Sequence, residues 1–270
     1  MDSKLQTPVR NGFKPFRTEL RTIFRREDSF DEILLQLTQA GLPAQPASPR
    51  KVLFWGEGAG EISSYVAGWM AGKGIEVIVL DGANRFNAYT VSSFARRTLI
   101  PPEKLLKSIR IARAFTCYQM ATLMGEQLIS LLKREEATEL LQRPWVILLG
   151  PLTTFLDEDV PEREVRPLFE RSLRKIEEMV SRGVPFLLFQ SNPPSPPLRK
   201  GGEGGFTSSK RAYLMRRLLQ FSNEVWRIDL DEEGPKMILE KGVTKLQIAD
   251  CKSQIEESVA PPFTEGEHFR

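Results

Sequence analysis

The chain has 270 residues, 41% of them hydrophobic and 27% charged, with a net charge of +3, a balance that is globular and excludes a mostly disordered chain. Two cysteines, Cys117 and Cys251, and one histidine, His268, exclude a disulfide scaffold, a multi-histidine zinc site and a buried Ser–His–Asp triad. No metal site and no catalytic residue are expected, and the small positive charge points only weakly to a polyanionic partner. No uncharged apolar run reaches the roughly 18 residues of a membrane span, and Met1–Arg26 has no apolar core, so no secretory signal is read. The expectation is a cytoplasmic protein without a membrane partner.

Residues 1–50 form a basic arm, a short helix and a linker. Arg10, Lys14, Arg17, Arg21, Arg25 and Arg26 are opposed in that stretch by Glu19 alone, with Phe13, Phe16, Leu20, Ile23 and Phe24 interleaved. The spacing of Phe30, Ile33, Leu34 and Leu37 predicts a helix over 27–37. Gly41 and Pro43 end it, and Ala44–Pro49 has linker composition. The arm either packs its aromatics on the main domain or docks on nucleic acid or a protein.

From Lys51 to about residue 247, short apolar runs alternate with helical patterns. Strands are predicted at Val52–Trp55, Glu76–Leu80, Ile109–Ala112, Val146–Leu149 and Val184–Phe189. Helices are predicted at Ile62–Met70, Ala88–Arg97, Tyr118–Lys133 and Glu164–Arg182, the last with Leu168, Leu173, Ile176, Met179 and Val180 on its apolar side. Nearly continuous apolar strands between helices indicate a buried, mostly parallel sheet covered on both faces, an α/β architecture. Residues 192–207 are Pro- and Gly-rich and read as a flexible loop, similar to translated repeats in some bacterial proteins. Ser208–Phe221 is basic and helical in pattern. Val225–Leu230 and Lys236–Leu239 flank Asp231–Gly234 as a C-terminal β-hairpin, and residues 248–270 form a polar tail.

One turn carries a chemical question. Gly56, Gly58 and Gly60 follow a strand and open a helix, the setting in which backbone N–H groups face a phosphate. A working P-loop then needs a lysine and a hydroxyl. Here Glu61 and Ile62 follow Gly60, so an anion replaces the cation and a hydrocarbon the magnesium ligand. Ser63 and Ser64 offer hydroxyls from a shifted position. The residues favour a structural turn first, then weak or magnesium-free nucleotide binding, then ordinary ATP hydrolysis. No cofactor is expected; ATP–Mg is the alternative the turn leaves open.

The segment from about Lys51 to Lys241 resembles the RecA/RadA recombinase core, a branch of the P-loop ATPases. The resemblance lies in the order of elements and in Val77–Asp81 with Arg85-Phe86, Ile111-Ala-Arg-Ala-Phe115, Trp145–Thr153 and Phe186–Asn192. It implies a RecA-like sheet with degenerate Walker A and Walker B motifs. Ala83 stands where the family places a water-activating glutamate, and Gly150 where it places a magnesium-associated aspartate. Those groups position and stabilise the transferred phosphoryl, so their joint loss implies a degenerate ATPase. Gln190 falls where the family senses the γ-phosphate. The nucleotide-site candidates are therefore Gly56, Gly58, Gly60, Ser63, Ser64 and Gln190.

In the same family the loop after the fifth strand contacts single-stranded DNA. Here it runs into Arg199, Lys200, Lys210, Arg211, Arg216 and Arg217, opposed by Glu203 alone, and these six are the candidate DNA contacts. Arg96, Arg97, Lys104, Lys107 and Arg110 form a second basic stretch, read as a solvated face. The expected function is that of a non-catalytic RecA-like accessory of DNA recombination or repair, binding single-stranded DNA or a recombinase-type partner. A regulatory or structural subunit of a partner ATPase and a weak nucleotide-binding ATPase are the alternatives.

Overall fold

The computed structural model describes residues 50–136, 143–192, 211–231 and 234–242. The basic arm, residues 193–210 of the loop and the polar tail lie outside these, as do the expectations placed on them.

A seven-stranded sheet is the frame. Its strands are β1 Lys51–Gly56, β2 Val77–Asp81, β3 Ile109–Arg113, β4 Trp145–Leu149, β5 Phe186–Gln190, β6 Glu224–Asp231 and β7 Gly234–Lys241. The spatial order is β3-β2-β4-β5-β1-β6-β7, parallel throughout except for the antiparallel β6–β7 hairpin. β2, β4 and β5 are buried at every residue, as continuous apolar runs in a covered parallel sheet must be. β3 lies at the edge, and only Ile109 of its residues is buried.

Strand residues alternate between two cores. Phe54, Val79, Ile147 and Phe189 point to one face, where they meet α1 (Ala59–Gly72), α2 (Ala88–Arg97) and α3 (Pro102–Lys107). Leu53, Leu80, Leu148 and Leu188 point to the other, under α4 (Cys117–Thr122), α5 (Leu128–Glu136), α6 (Glu162–Ser181) and α7 (Ala212–Phe221). Phe54 stacks on Phe189 with ring centroids 5.0 Å apart, which locks β1 to β5. α1 is buried on almost every side, so its sequence carries little helical amphipathicity.

The predicted helix over 27–37 lies outside the described residues; the elements predicted from Lys51 to Leu239 are present with shifted ends, and three details differ. α3 is a helix that the sequence pattern did not predict; Pro102 occupies its first position, where the missing N–H costs nothing. The basic segment is helical only from Ala212 within the described residues. The long helix expected over Tyr118–Lys133 is interrupted by a π turn at Leu123–Gln127. Its buried residues Met120, Met124, Leu128 and Leu132 recur every fourth position. Each such step overshoots a full turn by about 40°, and the wider π turn absorbs that drift and keeps the stripe on the core.

Candidate functional site

Four strands end along one edge of the sheet, at Gly56, Asp81, Leu149 and Gln190. In open α/β sheets ligands collect at this carboxyl edge. Gly56, Gly58, Gly60, Ser63, Ser64 and Gln190 all gather here, since Trp55 is in register with Gln190 and α1 starts three residues beyond β1.

Each glycine of the turn has a steric reason of its own. A Cβ on Gly56, at φ +115°, would lie 2.3 Å from the carbonyl oxygen of Ile228 on β6. Gly58 adopts φ 79° as the residue before α1, where an L side chain is strained. A Cβ on Gly60 would meet the Ser191 hydroxyl at 3.0 Å and Arg85 Cδ at 3.3 Å. The space beside Gly60 is thus already filled by protein.

The polar candidates are held within the fold. Ser63 is fully buried and its hydroxyl donates to the Gly60 carbonyl at 2.6 Å. The Ser64 hydroxyl accepts from the Asn87 N–H at 2.9 Å and ties α1 to the loop before α2. Gln190 accepts from the Leu152 N–H at 3.0 Å and donates to the Ser191 carbonyl at 2.9 Å, so both ends of its amide are engaged by backbone.

Asp81 organises the neighbouring loop. It is completely buried and accepts from the backbone N–H groups of Ala83, Arg85 and Phe86 at 3.2, 3.2 and 3.0 Å. Arg113 Nε from β3 approaches the same carboxylate at 3.4 Å. This cap presents the Arg85 side chain to the first turn of α1, where Arg85 Nη1 donates to Glu61 Oε1 at 2.9 Å. Arg85 is therefore paired with Glu61, the residue that follows Gly60 where a working P-loop would carry a lysine.

Ala83 and Gly150, the positions at which the RecA resemblance would place acids, adjoin. Gly150 has φ +64°, and a Cβ there would lie 2.5 Å from both Ala83 Cβ and Thr153 Oγ1. The backbone at 150 thus admits no side chain. A magnesium–triphosphate would meet Glu61 in place of a lysine, no carboxylate at 83 or 150, and hydroxyls already bonded within the fold. The residues present do not fit that group. Among the described residues, no group of three or more His, Cys, Asp or Glu is placed to hold a metal ion.

The DNA candidates fare differently from one another. Arg199, Lys200 and Lys210 lie outside the described residues. Arg211 is buried: its guanidinium donates to the carbonyls of Phe155, at 2.7 Å, and of Asp157 and Val160. That charge caps the turn between β4 and α6 rather than facing solvent. Arg217 Nε donates to Glu170 on α6 at 2.9 Å, and Arg216 is exposed on α7.

A second concavity, absent from the sequence reading, opens at the other flank of the sheet. A groove of about 580 Å³ runs between the β2–β3 flank and the wall formed by the π turn Leu123–Gln127 and α5. Ile78, Leu80, Leu123, Leu128 and Leu131 line it, and Arg110, Glu126 and Arg134 stand at its polar part. Among the described residues no strand pairs with the outer edge of β3. Ile111, Phe115 and Tyr118 are exposed along this flank. The Tyr118 hydroxyl donates to Glu164 at 2.5 Å, and that carboxylate holds its pKa above the ordinary value. The nearest sequence signal was the fourfold spacing from Met120 to Leu132, which marks the core side of the helix that walls the groove and which the π turn accommodates.

A search of known protein families finds no match to this chain, and a search of curated proteins finds none either. Among the described residues, no helix is long and apolar enough to cross a membrane.

Proposed function

We propose that this chain is a non-catalytic RecA-like protein that serves as an accessory of DNA recombination or repair, and that it works by holding a recombinase-type partner along the outer edge of β3. The single observation behind the non-catalytic reading is Gly150, where φ +64° and a 2.5 Å approach to Ala83 leave no room for the acid that phosphoryl transfer would need. The Glu61–Arg85 pair supports it from the other side of the turn.

The protein-partner reading is preferred to single-stranded DNA because Arg211 is buried on backbone carbonyls and Arg217 is paired with Glu170. The outer edge of β3, with which no strand pairs among the described residues, borders a largely apolar groove. An extended segment adding to such an edge gains main-chain hydrogen bonds, and its alternate side chains reach the pocket beside it.

The test is surface plasmon resonance between the purified chain and the recombinase of the same organism, with Leu131→Glu as the variant. Leu131 is half-buried on the groove wall and packs against the core, so the Tm of the variant is measured beside its binding to show that it is folded. The expected result is saturable binding that Leu131→Glu weakens at least about tenfold, the loss of roughly 1.4 kcal/mol that one groove anchor supplies. Binding unaffected by the variant, or no binding beside tight single-stranded DNA binding, overturns the reading.

A further inference from the structure

We infer that the loop joining α2 to α3 is a duplex-DNA contact, with Leu99 as an apolar wedge and Arg96, Lys104 and Lys107 as phosphate contacts. The inference concerns a different surface from the β3 groove and does not rest on it.

Leu99 is the anomaly that prompts it. α2 ends in a Schellman arrangement: the Ile100 N–H donates to the Ala95 carbonyl at 2.9 Å, and the Leu99 N–H to that of Arg96 at 3.4 Å. Leu99 therefore occupies the left-handed position, φ 57°, that helices normally give to glycine. Only Leu99 and Asn84 adopt positive φ among the described non-glycine residues, and asparagine tolerates it. Leu99 is also 93% exposed, whereas its neighbour Ile100 packs against the core. Neither backbone preference nor burial accounts for a leucine at this point.

The surroundings supply a partner's chemistry. Arg96 and Arg97 lie in the last turn of α2, with Arg97 5.7 Å from the Tyr65 ring. α3 starts three residues after Leu99 and is only about 9 Å long, so its exposed Lys104 and Lys107 stand close by. Glu103 is the one acid between Arg96 and Arg110. An exposed apolar side chain flanked along the chain by exposed cations matches proteins that hold phosphates with Lys and Arg while an apolar wedge parts a base step. One leucine is too little apolar area for a membrane anchor, and leucine is under-represented among the anchors of protein interfaces. Duplex DNA is the ligand these observations favour.

The test uses the full chain and a 20-base-pair duplex carrying 2-aminopurine, followed by anisotropy over a salt series. Wild type should bind and raise the 2-aminopurine fluorescence as a step unstacks. Arg96→Glu with Lys104→Glu should lower the slope of log affinity on log salt by about 2, the loss of two phosphate contacts. Leu99→Gly should hold or raise Tm, since glycine suits its backbone, yet weaken binding several-fold and abolish the fluorescence rise at an unchanged salt slope. A merely structural role for Leu99 would not produce that combination. The inference is overturned if Leu99→Gly binds and unstacks as wild type does. It is equally overturned if the double variant keeps the wild-type slope, or if vesicles of phosphatidylserine and phosphatidylcholine bind where the duplex does not.

Discussion

Gly150 and Ala83 are packed so closely that a Cβ on one would lie 2.5 Å from the Cβ of the other. The Gly82 N–H donates to the Leu149 carbonyl at 2.8 Å and fixes the two loops at that separation. Positions 83 and 150, where a RecA-like ATPase would carry acids, are thus filled by packing between the ends of β2 and β4. Gly150→Asp should therefore cost about 2–4 kcal/mol, from overpacking and a left-handed residue with a side chain. Thermal unfolding should show a clear drop in Tm, and the variant should hydrolyse no ATP.

The pair Arg85–Glu61 is exposed, with side chains 58% and 38% accessible, so water screens it. Glu61→Gln should change stability by less than about 1 kcal/mol. It should also leave ATP–Mg binding undetectable by titration calorimetry, because neutralising one carboxylate restores neither the lysine nor the acids.

Arg211 is a structural cation. Removing its guanidinium leaves the carbonyls of Phe155, Asp157 and Val160 without that donor. Arg211→Ala should destabilise the chain by about 2–4 kcal/mol, read by urea denaturation. Its single-stranded DNA affinity, measured by anisotropy at a temperature where the variant is folded, should match wild type.

Burial pushes the Cys117 thiol above its ordinary pKa of 9.0. The folded state thus keeps its proton at a pH where the unfolded chain loses it, and the difference in bound protons favours unfolding. The sign is a loss of stability as pH rises above about 9. Cys117→Ala should reduce the fall in urea midpoint between pH 8 and pH 10, roughly the range of thiol titration. At pH 8, Cys117 in a Cys251→Ser chain should resist iodoacetamide until the chain is denatured.

Much of the sheet was legible because its signal is local. A buried parallel strand must be apolar at every position, so Val77–Leu80 and Val146–Leu149 stand out from their flanks. The apolar stripe of α6 was readable for the same reason, although Val165 and Phe169 extend it beyond the expected set. The candidate turn was legible as a turn, and the strain of Gly56 and Gly58 explains its glycines. The pairing of Glu61 with Arg85 spans 24 residues and depends on the Asp81 cap, which periodicity does not encode. Arg211 misled because a basic run looks the same whether its charges face water or cap a buried turn. The β3 groove was hidden because a helical pattern was assumed to be continuous through Leu123–Gln127.

The most direct measurement is differential hydrogen–deuterium exchange of the full chain with and without the recombinase of the same organism, in ATP–Mg. The account predicts slowed exchange confined to β3, Ile109–Arg113, and to the π turn and helix that wall the groove, with residues 56–61 unchanged. Protection over residues 56–61 that depends on ATP–Mg, or an unaltered β3 in the presence of saturating recombinase, would contradict it.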